Sequence, residues 1–277
     1  MPSMTQTRRA ELPALLAAAT GAFALGFRRS FANWAILLGR MGFYLVAMLV
    51  LSALWDKVSA QRLAGTLATA LPAGGLTLYF GVTEWFTLST AAIHLRLEDD
   101  IRLGMLEPHL LRPKPYLVQK IADTLGDSLG RLLGLGAVAL LALMLSGRAA
   151  PPVVAFAYLA VLAPFSVIIG VLLLTLVGLS AFWIRRVLPP YMIMQKAIFL
   201  LGGLFAPISL YPAWLYRIAA ATPFAANLFF AGRQAIAPSA ESFALTLVLQ
   251  FFWILVLGAL VALIWRAGLR KVLREGI

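Results

Sequence analysis

The fold class this sequence predicts is an all-α membrane protein with six transmembrane helices, an N-terminal interfacial helix and an external re-entrant helical hairpin between spans five and six. Three observations predict it. Of the 277 residues, 62% are hydrophobic and 12% charged, whereas soluble chains are about 45–50% apolar and about 25% charged. Uncharged runs recur at lengths that let a helix of about 20 residues cross a hydrocarbon core of ~30 Å. The 23 Lys and Arg outnumber the 11 Asp and Glu, and they crowd into alternate connections, as the positive-inside rule requires.

Taken in order, residues 10–29 are Ala-rich, with Arg8 and Arg9 before them and Arg28 and Arg29 at their end. Leu12, Leu15, Leu16, Ala19, Phe23 and Phe27 fall along one helical face, which suits a helix lying in the headgroup region. A seventh span is the alternative, and it would carry basic residues to the outside against the charge bias. The first span is placed at 34–55, interrupted only by Arg40, and the second at 67–93, interrupted only by Glu84. An unpaired charge at bilayer depth costs ~3 kcal/mol even on lenient scales. Arg40 and Glu84 are therefore expected to form an ion pair between spans one and two, with Glu84 on the substrate path as the alternative.

The third span is placed at 125–147. Between Arg148 and Arg185 lie 36 uncharged residues, ~54 Å of helix and too long for one straight crossing. Pro151 and Pro152 therefore precede a fourth span at 154–183, bent near Pro164 where a backbone donor is missing. The fifth span is placed at 191–207 and the sixth at 243–265. Between them, 208–242 is too apolar for a free loop, and Pro212 and Pro223 leave no uninterrupted run of ~18 residues. A non-spanning external hairpin, with Tyr211, Trp214 and Phe224 at headgroup depth, satisfies its own backbone; two further short spans are the alternative.

An even number of spans puts both termini on one side. That side, with the 94–116 connection and residues 185–186, carries 14 Lys and Arg against five on the other, so it is cytoplasmic. Lys120, Asp123, Asp127 and Arg131 fall at spacings of three, four and four, one charged stripe at the start of the third helix whose members can neutralise one another. Such a stripe either lines a cytoplasm-facing cavity or is the solvated face of a helix leaving the bilayer.

The composition also excludes chemistry. There is no cysteine, hence no disulfide and no thiolate metal site. The formal charge of +12 reads as topology signal and affinity for the anionic lipid bilayer rather than for nucleic acid. No glycine precedes any lysine, so the phosphate-cradling G-x-x-x-x-G-K-[ST] loop is missing. The histidines, His94 and His109, read as solvated loop residues rather than a metal pair, and no catalytic constellation is expected.

The 94–116 connection mixes both signs of charge with leucines at helical spacing, a composition suited to docking. Within it Ile101, Arg102, Gly104, Leu106, Leu110, Leu111, Arg112 and Pro113 form a pattern that resembles the segment after the second span in permease subunits of type-2 ABC exporters. In residues 202–224, Gly203, Pro207, Pro212, Trp214, Pro223 and Phe224 are similar to that family's G-x-x-x-P…P-x-W…P-F hairpin. The resemblance implies a single transmembrane permease domain over 1–277 in the cell (inner) membrane. It also implies pairing with a second copy or a sister permease, and cytoplasmic ABC ATPase subunits held through Glu98, Asp99, Asp100, Arg102, Gly104 and Arg112. ATP and Mg would then belong to the partner, with no cofactor in this chain. A secondary transporter or a membrane assembly factor without an ATPase is the competing reading. Ion-coupled transport generally shows repeated halves with carboxylates near the midplane; no repeat is visible here and only Glu84 approaches that depth.

Overall fold

The structure, a computed structural model, describes residues 4–60, 75–106, 108, 115–145 and 151–275. Most of the described residues are helical, with no strand among them. The helix α1 spans Met4–Ala32 and α2 spans Trp34–Ala60. They meet at Asn33 with an axis change of 72°, so α1 does not prolong α2 as one straight rod. α3 covers Gly75–Ser89 and, after a break at residues 90–92, α4 covers Ile93–Arg102. α5 is Tyr116–Leu145 and α6 is Val153–Leu179, which runs through Pro164 and ends in a 3-10 turn at Ser180–Phe182.

α7 spans Leu188–Leu201, with Pro189 and Pro190 in its first turn where missing donors cost nothing. A 3-10 turn (Ile208–Leu210), α8 (Ala213–Ala220), a π-helical turn (Ala225–Phe229) and α9 (Phe230–Arg233) follow. α10 spans Ala240–Glu275. Three of these helices, α5, α6 and α10, are each long and apolar enough to cross a membrane, and the bent pair α1–α2 passes the same test jointly.

Several boundaries differ from the sequence reading. α5 begins at Tyr116, nine residues before the third span was placed; the charged stripe is helical, as expected for the start of this helix, and the helix starts one turn before it. The 94–116 connection is accordingly helical through Arg102. α7 stops at Leu201 because Gly203 takes φ +78°, a left-handed conformation that ends a helix at C′. α10 continues ten residues past Trp265, so Arg266, Arg270, Lys271 and Arg274 ride on helix. For the second span, residues 67–74 lie outside the described residues.

α6 is the centre of the bundle. Sixteen of its residues are buried, including Leu162, Ile169 and Val171. α10 packs parallel along it: Tyr158 stacks on Phe243 at 4.3 Å, Gln250 donates to Ser166 at 2.9 Å, and Phe182 meets Trp265 at the other end. On another side, α1 and α5 cross with backbones in contact. A Cβ on Gly26 would stand 1.8 Å from the Asp123 carbonyl oxygen, and one on Gly126 would stand 2.0 Å from that of Phe23. Glycine is what permits this approach.

Candidate functional site

The site is built around α4. Its sequence, IHLRLEDDIR, places Ile93, His94, Leu97 and Glu98 on a buried face. α6 accepts that face at Gly178, where a Cβ would come within 2.9 Å of His94 Cα. The chain enters α4 through a break fixed by the Ala91 N–H, which donates to Ser128 Oγ of α5 at 3.0 Å. It leaves at Gly104, whose φ of +68° supplies the left-handed C′ position after Leu103.

Two sets of ionic contacts fasten α4 to its neighbours. Arg96 donates from Nη1 to Asp123 Oδ2 at 2.8 Å and from Nη2 to Asp127 Oδ2 at 2.9 Å. Asp123 also accepts from Arg29 of α1 at 2.9 Å, and Asp127 takes a two-point contact from Arg131 at 2.9 and 2.7 Å. Asp100, one turn along α4, accepts from Lys120 and from the Tyr116 hydroxyl. Asp127 and Arg131 are nearly enclosed, with side-chain exposures of 4% and 14%, where charges persist only when paired. Three arginines on two aspartates thus join α1, α4 and α5 into one rigid corner.

The stripe at 120–131 is therefore neither a cavity wall nor a solvated face. Arg131 and Asp127 pair within the helix, but Lys120 and Asp123 turn to other helices because α1 and α4 bring opposite charges against it. His94 is buried too, 3% exposed and stacked on Tyr191 at 4.2 Å, which corrects its reading as a solvated loop residue. Burial without a partner for Nδ1 lowers its pKa from the usual 6.5 to about 4.

The expected docking residues divide. Glu98 is buried, with Arg102 reaching it at 3.7 Å across one helical turn, and Asp100 is spent on α5. Asp99, Arg102 and Gly104 are exposed. Leu110, Leu111, Arg112 and Pro113, with His109, lie outside the described residues. What the sequence reading missed is the apolar part of the open face: Leu95, Leu103 and Met105 are 51%, 64% and 54% exposed. Leu95, Asp99, Arg102 and Leu103 recur at i, i+4, i+7 and i+8, a spacing that places them on one face. The spacing was available in the sequence, but that this face is the open one follows only from the packing of His94 and Leu97 on Gly178.

The pairing of Arg40 with Glu84 is not present: the ion pairs among the described residues do not include it. Leu37 and Met41 meet Gly134, so this turn of α2 faces α5 and Arg40 sits within electrostatic reach of Arg131 instead.

In the segment after α7, Tyr79 of α3 donates its hydroxyl to Gly203 O at 2.9 Å, Pro207 and Pro212 precede the two short helical turns, and Tyr211 donates to Leu200 O at 2.8 Å. Trp214 is 64% exposed, while Pro223 and Phe224 are half-buried. Ile208, Ala219 and Phe229 pack with Tyr79 and Phe80 in a small second core. The segment is thus folded back onto the end of α3 opposite α4.

Among the described residues no cluster of His, Asp and Glu is arranged to hold a metal ion. No curated protein gives a significant match to the chain. The family model described as "ABC-2 family transporter protein" matches residues 72–276, from just before α3 to the end of α10. The match takes in α4 and the folded-back segment together, and with the apolar helices that can span a bilayer it places the chain in the ABC-2 transporter family, as a multi-pass membrane permease of an ABC transporter.

Proposed function

We propose that this permease is the transmembrane half of an ATP-driven exporter, and that the open face of α4 is where the ATPase subunit sits. The observation that carries the reading is the division of α4 into two faces. One is clamped by Arg96 and Asp100 to α5, and through Asp123, which also holds Arg29, to α1. The other offers Leu95, Asp99, Arg102 and Leu103 to solvent. A helix bound so tightly on one side moves with the bundle, so a force applied to its free side is delivered to α1, α5 and α6 together. ATP binding can then favour one arrangement of the permease through differential contacts at this face.

The reading extends to six crossings with both termini and α4 cytoplasmic, in the cell's inner membrane, supported by the 14 basic residues on that side. The segment from Ile208 to α9 forms an external re-entrant cap, and α1 lies at the cytoplasmic surface, turned away from α2. The permease works as a pair with a second copy or a sister chain, and an apolar or amphipathic substrate crosses between the halves. The partner binds ATP with Mg and hydrolyses the ATP.

The test is hydrolysis of Mg-ATP that co-purifies with the solubilised permease. Wild-type chain carries ATPase activity out of the membrane. Arg102→Glu with Leu103→Asp, which touch none of the ionic contacts to α5, reduce that activity at least tenfold at equal permease yield. Undiminished co-purification would place the ATPase elsewhere. No ATPase at all in the wild-type preparation would favour a transporter without one.

A further inference from the structure

A cavity of about 660 Å³ lies among α2, α3, α5 and α6, away from α4 and from the folded-back segment's own core. Its size is within the ~300–1,000 Å³ of small-molecule sites. We propose that it is a built groove for one acyl chain of a membrane phospholipid, a proposal that rests on the reading of this chain as a membrane permease.

The lining chooses the ligand. Leu132, Leu140, Phe156, Val82 and Met48 give it an apolar wall, and Ala137 and Ala160 leave the space open. The polar atoms at its edge are already bonded: Tyr44 donates to Gly81 O at 2.9 Å and Trp85 Nε1 to Leu132 O at 2.8 Å. Among the described residues that line it nothing asks for water or a polar ligand, and apolar cavities of this kind stay dry. Hydrocarbon is the filling that a bilayer supplies.

The geometry chooses the source. The lining residues of α5 run from Leu132 to Leu143, ~17 Å of helix. That is about half of a ~30 Å hydrocarbon core, the depth of one leaflet. The indole of Trp85 closes the inner end, packed where a Cβ on Gly136 would come within 2.9 Å of it, and Pro151 and Ala235 border the outer end. The side is open, and its rim residues Leu49, Leu133 and Leu140 are 61%, 55% and 45% exposed, continuous with the apolar surface that faces lipid. A chain can therefore enter sideways with its headgroup left at the Pro151 end.

The test is photolabelling of the purified permease in phosphatidylcholine vesicles doped with a phosphatidylcholine that carries a diazirine in its chain, with the labelled residues mapped by mass spectrometry. Leu263 of α10, 60% exposed, serves as an ordinary lipid-facing position. Label at Leu140 and Phe156 is expected at five times the Leu263 yield or more, and Ala137→Trp or Ala160→Trp should bring it down to that yield while Leu263 is unchanged. The wild-type mapping needs no variant to fold. Equal labelling of cavity and Leu263 would overturn the groove and leave the membrane reading intact, whereas absence of label at both would overturn the membrane reading itself. A second copy filling the cavity, seen as efficient disulfide formation between chains carrying Leu140→Cys with no label at Phe156, would also overturn it.

Discussion

At the scale of single residues, the acidic and basic side chains of the corner are held by geometry that leaves them little freedom. Asp127 accepts from both Arg96 and Arg131, so Asp127→Asn leaves two arginines facing one fewer negative charge in a largely enclosed place. Breaking such a pair costs ~3 kcal/mol or more. Thermal unfolding in detergent should show the drop, and Asp127→Met with Arg131→Met should recover part of it. His94 makes a pH prediction. Its folded pKa of about 4 lies below the unfolded value near 6.5, so the unfolded chain binds the extra proton first. Its contribution to stability is complete above about pH 6.5 and is lost as pH falls toward 4. The melting temperature should therefore fall between pH 7 and pH 5 in wild type, and His94→Phe should flatten that dependence.

What could be read residue by residue was what depends on near neighbours. Gly104 and Gly203 were picked out by motif, and each occupies a left-handed position. The partners of Asp123 were not legible, because Arg29 is 94 positions away and reaches it only when α1 crosses α5. The Arg40–Glu84 expectation failed for the same reason: matching depth along two helices says nothing about which way each side chain is turned about its axis.

At the scale of elements, the contact between α1 and α5 depends on absent side chains. Gly126→Leu would drive the Phe23 carbonyl away, since even a Cβ would stand at 2.0 Å from it. Overpacking typically costs ~1–3 kcal/mol, and here backbone rather than a flexible side chain must move. Limited proteolysis should find α1 released in this variant and protected in wild type. Hydrophobic runs located the long helices α5, α6 and α10, because a span must be apolar all round. They did not show that α4 is a helix with an inward face, since ten residues of mixed charge look the same whether solvated or packed.

At the scale of the whole molecule, the charge distribution sets orientation, and the cysteine-free sequence makes it simple to test. Single cysteines at Asp99 and Ser239 are both on exposed positions. An impermeant thiol reagent should label Ser239→Cys in intact cells and Asp99→Cys only after permeabilisation. The opposite result would invert the molecule and remove α4 from the cytoplasm.

What touches the free face of α4 is the most direct test of ATPase docking there. Leu103→Cys, exposed and outside the ionic corner, can be cross-linked in native membranes with a short bifunctional thiol reagent and its partner identified by mass spectrometry. Docking on α4 predicts a subunit carrying a phosphate-binding loop attached at Leu103→Cys and not at Ser239→Cys. Capture of that subunit from Ser239→Cys, with none from Leu103→Cys, would contradict it.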